Sequence, residues 1–204
     1  PLPALDRTRM AGRDAGYELE DGEQSFCHLL TGLDHGELLD DKYRIEGVLG
    51  VGGMGVVLAA FHLDLERPVA IKVLRAELTQ EKRIVTRLLQ EGRAAARIKS
   101  EHVAQVIDVG RLANGAPYVV MERLEGIGFD RLLLENGPLP LSEAVDAIVE
   151  TCEALAQAHA AGIIHRDLKP GNLFLARRVD GSKVVKLLHF GISKSLHTRR
   201  RRSM

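Results

Sequence analysis

Between residues 43 and 74 the apolar positions alternate or gather into short runs: YRIEGVL, then VVLAAFHL, then RPVAIKVL. Alternation and β-branched runs bounded by Gly and Pro predict three consecutive strands joined by tight turns. The spacing then becomes helical over about Thr79 to Ser100. Ile84, Leu88 and Ile98 mark an apolar side there, and Ala94 to Ala96 add propensity. HVAQVIDVGRL and APYVVMERL predict a strand pair turning at Asn114-Gly115. LEGIGF then links to a helical part. Its best helix runs from about Ser142, an N-cap candidate, to Ala161. Val145, Ile148, Val149, Cys152, Leu155 and His159 recur there at steps of three and four, and Gly162 can end the helix. NLFLARRVDGSKVVKLLHF predicts a hairpin at Asp180-Gly181.

The two ends lack this patterning. Residues 1–41 are rich in charge and Gly and read as a flexible leader, apart from a short helix near Phe26 to Leu30. Residues 195–204, with Arg199 to Arg202, read as a solvated basic tail. No internal repeat is visible. The order between the ends predicts an α+β fold: a β-rich lobe with one main helix, a connector, and a helical lobe carrying a hairpin, with a cleft between them.

Composition narrows the class without naming a function. The chain has 204 residues, 45% hydrophobic and 27% charged, an ordinary globular balance. Lys+Arg and Asp+Glu each total 28, so overall charge predicts neither a nucleic-acid nor a membrane partner. Cys27 and Cys152 are far apart, which points to a reducing compartment and a cytoplasmic location. No apolar run approaches the roughly 18 residues of a membrane span, and no signal-peptide pattern opens the chain.

Candidate chemistry starts at LGVGGMGVVL, where Gly50, Gly52 and Gly55 form a G-x-G-x-x-G spacing. Alone this suits a dinucleotide loop, a glycine flap over nucleotide phosphates, or a plain hairpin turn. A dinucleotide unit needs a helix directly after its glycines, and here a strand follows. Downstream lie VAIK on the third strand, Glu91 mid-helix in QEGRAAARI, HRDLKPGN at His165 to Asn172, and HFGISK from His189. Singly, Lys72 is an ordinary strand lysine and Glu91 an ordinary helix acid. In this order and spacing they are specific. From Lys42 to Lys194 the sequence resembles the protein kinase family, and within it the bacterial Ser/Thr kinases of eukaryotic-like type.

The resemblance implies a bilobal kinase fold, with an N-lobe over about 42–123, a partial C-lobe over about 124–194, and ATP bound between them. Leu49, Gly50, Val51, Gly52, Gly53, Met54 and Gly55 would cover the phosphates, since glycines let backbone N–H groups approach. Val57 and Ala70 would sandwich the adenine. Met121 would stand at the back of the pocket, and backbone groups of Glu122 and Leu124 would bond the adenine edge. Lys72 would hold phosphate oxygens and be held by Glu91. Asp167 would orient the Ser/Thr hydroxyl of a protein substrate, Lys169 would neutralise the transferred phosphoryl, and Asn172 would ligate Mg²⁺. His165 is read as structural, packing on Phe190, and His102 and His159 as packing or capping residues.

The resemblance breaks at His189-Phe190-Gly191, where the family has Asp-Phe-Gly. Mg²⁺ prefers oxygen ligands in tight octahedral geometry, and imidazole suits softer metals. The replacement predicts weakened Mg²⁺ binding and a transfer rate lower by on the order of 10²-fold or more. With no A-P-E motif after Phe190, an incomplete C-lobe is also expected, and Arg166 lacks the phosphorylated loop it would pair with. Three readings follow: a Ser/Thr kinase altered near its end, a pseudokinase that binds nucleotide or scaffolds, and a fragment that does not fold alone.

Overall fold

The computed structural model describes residue 28, residues 31 to 53 and residues 55 to 188. The expected short helix near Phe26, His189, Phe190, Met54 and the basic tail lie outside the described residues. A six-stranded antiparallel sheet comes first. It contains β1 (Leu38–Leu39), β2 (Tyr43–Val51), β3 (Gly55–His62), β4 (Arg67–Leu74), β5 (Val106–Arg111) and β6 (Pro117–Glu122), in spatial order β1-β2-β3-β4-β6-β5. Two helices follow β4: α1 (Ala76–Thr79) and α2 (Lys82–Ala95).

Strand alternation gives this sheet two buried faces. On one, Val56, Leu58, Val69, Ile71, Val73, Tyr118 and Val120 form a core with Leu33 and Leu39. On the other, Ala70, Leu74, Val119 and Met121 pack on Ile84, Val85, Leu88 and Leu89 of α2. Gly92 makes that approach feasible, because a Cβ there would lie 2.8 Å from Val109. Gly55 is needed for a similar reason: a Cβ would meet the Val73 carbonyl oxygen at 2.2 Å.

The second part contains β7 (Gly126–Gly128), α3 (Phe129–Asn136), α4 (Leu141–Ala160), a 3₁₀ turn (Pro170–Asn172), β8 (Leu173–Arg177) and β9 (Lys183–Leu187). β7, β8 and β9 form an antiparallel sheet. The hairpin turns at Gly181, whose φ is +83°, and the Asp180 carboxylate accepts bonds from the Ser182 N–H and hydroxyl. A third core joins Ala95, Ile98 and Val103 to Phe129, Ala154, Ala158, Val185 and Leu187. The result is the α+β arrangement expected, an N-lobe and a partial C-lobe. The link between them is a parallel bridge from Val103 to Leu187 with flanking backbone bonds from His102 and Ala104.

Several boundaries differ from expectation. The helix expected over about Thr79 to Ser100 starts only at Lys82, because Glu81 adopts φ −84°, ψ 87° and separates it from the short α1, which ends at Thr79. Its end comes at Ala95, where the N–H groups of Arg97 and Ile98 bond only three residues back. LEGIGF contributes a strand rather than a bare link, with Ile127 paired to Leu175. Residues 31–41, expected in a flexible leader, pack on the first sheet: β1 pairs with β2, Leu33 and Leu39 are buried, and the Tyr118 hydroxyl bonds Asp40.

α4 holds two more corrections. Pro140 takes the N-cap position, and its carbonyl accepts the Ala144 N–H at 3.0 Å, so Ser142 lies inside the first turn and caps nothing. Val145, Ile148, Val149 and Cys152 are exposed, and the buried face is Ala147, Thr151, Ala154 and Ala158. Small side chains let the helix lie close on β9, where the Glu150 carboxylate accepts the Val185 N–H at 2.6 Å. The far end follows the sequence. Gly162 has φ +75°, with Gly162 N–H to His159 O and Ile163 N–H to Ala158 O, a Schellman closure.

Candidate nucleotide and phosphoryl-transfer site

Strand register assembles the first half of the site. Gly50 pairs with Val57, Val57 with Lys72, and Lys72 with Val119, one row across four strands. Ala70 pairs with Met121 in the next same-face row. Period-two alternation therefore puts Val57, Ala70, Lys72 and Met121 on the face that α2 covers. At the β2–β3 turn the Gly52 N–H donates to the Gly55 carbonyl at 2.8 Å. A Cβ at Gly50 or Gly53 would meet nothing within 4 Å, so those glycines border open space. Leu49 and Val51 are exposed there.

Glu122 ends β6 one position beyond the Ala70–Met121 pair, opposite Val69. Its N–H donates to the Gln105 carbonyl, and its carboxylate accepts the Gln105 N–H and the Lys186 ammonium, each at 2.8 Å. Its N–H is thereby already engaged. Leu124 follows, half-buried, before β7.

Lys72 and Glu91 line one cavity of about 40 Å³ with Leu88, Val119, Met121 and Leu188. The expected ion pair between them is not formed. Glu91 instead accepts from the Arg87 guanidinium at 2.7 Å through Oε1, an i,i+4 contact along α2. Its Oε2 is buried with no hydrogen-bond partner among the described residues. Burial pushes the Lys72 ammonium down to about 8 against the pull of Glu91. Burial likewise raises the Glu91 carboxyl, opposed by Arg87, Lys72 and Arg166.

The second half of the site is the segment from His165 to Asn172. Arg166 holds φ +65°, a left-handed conformation unusual for its residue type. His165 is buried, and its Nδ1 accepts the Asp167 N–H at 3.3 Å. The Asp167 carboxylate is 2.9 Å from the Lys169 ammonium. The Asn172 amide donates to the Asp167 carbonyl at 2.6 Å and to its carboxylate at 3.3 Å. Asn172 is buried, and its backbone carbonyl accepts the Leu188 N–H at 2.9 Å. Leu188 thus connects the Lys72 cavity to the Asp167 loop, and the two halves belong to one site.

The other histidines behave as packing and surface residues. His102 is buried, with Nδ1 3.2 Å from the Val185 carbonyl and Nε2 3.2 Å from Glu153, while His159 is exposed. Sequence reasoning missed two members of the site. Arg87 is legible in hindsight, because four residues separate it from Glu91 on one helix. Lys186 has no local signal, since 64 residues separate it from Glu122.

For a magnesium ion the described residues offer the Asn172 carboxamide oxygen, its NH₂ being turned to Asp167, and the sequence places imidazole at His189 where the family has a carboxylate. Among the described residues, no group of three His, Cys, Asp or Glu side chains is arranged to hold a metal ion.

Comparison with known proteins agrees with this geometry. The protein kinase domain family model matches residues 43–204. The serine/threonine-protein kinase pkn3 of Myxococcus xanthus is 38% identical over 159 residues, covering 78% of this chain and 29% of that protein. PknB of Mycobacterium leprae is 35% identical over 161 residues, covering 78% and 25%. The solved Mycobacterium tuberculosis PknI kinase domain superposes with a TM-score of 0.71 at 28% identity, covering 79% of this chain and 64% of that one. The chain belongs to the protein kinase family, and its relatives are bacterial Ser/Thr kinases. It spans less than a third of the length of these two curated relatives. The family uses ATP and Mg²⁺ and acts on proteins. No helix among the described residues is long and apolar enough to cross a membrane.

Proposed function

We propose that this chain binds ATP and transfers its γ-phosphoryl group to Ser or Thr hydroxyls of a protein substrate, slowly, because His189 replaces the carboxylate ligand to magnesium. The observation that carries the reading is the Asp167 cluster. A carboxylate held by Lys169 and Asn172 lies on a strained loop that Leu188 ties to the Lys72 cavity. Val57, Ala70 and Met121 offer an apolar slot for a base, and the open space at Gly50 and Gly53 lets phosphates approach backbone N–H groups. Lys72 draws on the phosphate oxygens. Asp167 orients the acceptor hydroxyl and takes its proton as the oxygen attacks, and Lys169 offsets charge on the group in flight. Lys two positions after Asp167 accords with Ser/Thr rather than Tyr as acceptor. No step is routed through a metal, since the ligand set is poor.

A nucleotide-binding module without transfer is the second reading, favoured by Glu91 being engaged with Arg87 rather than Lys72. The purified chain, incubated with γ-labelled ATP and a generic protein acceptor, should place label on Ser and Thr at a low rate. Asp167→Asn should abolish it, and His189→Asp should raise it by on the order of 10²-fold. An ATP-dependent rise in melting temperature without label in either chain would leave the module reading. No ATP-dependent rise at all would defeat both.

A further inference from the structure

We propose that Asp40 is a positioning residue: through Tyr118 it ties residues 31–41 across the first sheet, holds that sheet curled, and so sets the slot of Val57, Ala70 and Met121. The inference rests on that slot being the nucleotide site. Residues 31–41 precede the span that matches the kinase family, yet they are built into the sheet. The Gly36 N–H donates to the Ile45 carbonyl at 2.8 Å, and the Ile45 N–H to the Glu37 carbonyl at 2.9 Å. Asp40 and Asp41 then take φ +51° and +55°, two consecutive left-handed residues that turn the chain into β2.

What this segment helps to join is the two ends of the sheet. β2 and β5 are not neighbours, since β3, β4 and β6 lie between them. Even so, the Tyr43 hydroxyl on β2 donates to the Asp108 carboxylate on β5 at 3.0 Å. The Tyr118 hydroxyl on β6 donates to the Asp40 carboxylate just before β2. Both rings are buried and meet edge to face with centroids 6.5 Å apart. Burial and the facing carboxylates push both phenols up, which keeps them donors. Gly110 of β5 makes room, since a Cβ there would lie 2.3 Å from the Tyr118 hydroxyl oxygen. Beneath these bonds Leu33 and Leu39 share one core with Ile71 and Val73, which flank Lys72, and with Val120, which precedes Met121. The strands that carry the slot on one face are thus backed on the other by residues 31–41. Tying the ends of a twisted sheet fixes its curvature, and with it the distance from β6 to the β2–β3 turn.

The first test needs no nucleotide. Asp40→Ala removes the acceptor at an exposed position and leaves the apolar contacts of Leu33 and Leu39. Amide hydrogen exchange in that full chain should quicken across β5 and β6 as well as in residues 31–41. Gly110→Ala, which displaces the Tyr118 ring from the β5 side, should give the same quickening in β5 and β6 with residues 31–41 unaltered in sequence. Quickening confined to residues 31–41 in Asp40→Ala, or none at all, overturns the proposal, because the segment would then only cover the sheet.

ATP reads the slot itself, at a temperature well below the melt of each chain. Asp40→Ala and Tyr118→Phe should each weaken ATP binding by about fivefold, the range of one net hydrogen bond. The double variant should lose no more than either, since both break the same bond. Asp40→Asn keeps a side-chain acceptor and should bind as the native chain does. Ala154→Leu, strained in the other lobe, controls for general loss of stability and should leave ATP affinity unchanged. An equal loss in Ala154→Leu, or native affinity in Asp40→Ala, overturns the proposal. Exchange as expected with no ATP binding in the native chain would leave the closure of the sheet standing and defeat the nucleotide reading instead.

Discussion

Lys72 shows how a single residue carries both a proposed role and a cost. Strand period placed it: Val69, Ile71 and Val73 go to one core, Ala70 and Leu74 to the other, and Lys72 to the side of Ala70. That placement was legible, because VAIK on a strand after a glycine turn fixes which face each residue takes. The missing partnership with Glu91 was not legible. Arg87 stands four residues from Glu91 on α2 and Lys72 lines the same cavity from β4, and only packing decides which of them Glu91 meets. The cost has a measurable sign. A lysine at about 8 in the folded chain returns to about 10.4 when unfolded. Between those values the unfolded chain binds more protons, so stability rises with pH, and below pH 8 the full penalty is present. Lys72→Met should remove that slope. Its stability gain over the native chain should be on the order of 3 kcal/mol near pH 7 and shrink toward zero above pH 10. Denaturant melts of both chains across pH 7 to 10.5 check this. A constant difference over that range would mean Lys72 is not desolvated as the structure has it.

Elements were readable in kind and less so in orientation. Every strand from Tyr43 to Glu122 falls where alternation or a β-branched run predicts one, and the Asn114-Gly115 and Asp180-Gly181 turns form as read. α4 shows why faces fail. Between Leu141 and Ala160 two stripes recur at helical steps, a bulky one at Val145, Ile148, Val149 and Cys152 and a small one at Ala147, Thr151, Ala154 and Ala158. Periodicity weights bulk, but close approach to β9 selects the small stripe, because a helix carrying Glu150 to the Val185 N–H needs short side chains beneath it. Residues 31–41 were missed for a related reason: Leu33 and Leu39 are too sparse among Gly and Asp to show a period, yet both reach the core. Ala154 is fully buried, so Ala154→Leu should destabilise the chain by about 1–3 kcal/mol through overpacking. Val149→Ser on the exposed stripe should shift the described fold by under about 0.5 kcal/mol. Chemical denaturation of both variants distinguishes the stripes, and the reverse ranking would mean that α4 buries its bulky face.

The lobes meet through the apolar core around Ile98, Val103 and Leu187 and through a few polar bonds, and together these fix how the Lys72 strand faces the Asp167 loop. Backbone bonds join His102 and Ala104 to Leu187, and Lys186 of β9 reaches back to Glu122 at the end of β6. The latter is the polar bond with most leverage, because Glu122 also takes the Gln105 N–H and so orders the strand end next to the face of Val57, Ala70 and Met121. Both side chains are largely shielded, at 14% and 27% exposure, so the pair is worth more than a surface contact, while removing one partner strands the other charge. Lys186→Met and Glu122→Gln should each cost about 1–3 kcal/mol. The double variant should cost less than their sum by about 1 kcal/mol, the signature of a direct contact. Affinity for ATP should fall in both single variants even under conditions where the chain stays folded, since the tie sets the spacing of the two halves of the site. Additive stability losses would mean the two lobes are held by the backbone bridge and the apolar core alone. Unchanged nucleotide affinity would mean the Lys72 face is set within the N-lobe, with no help from β9.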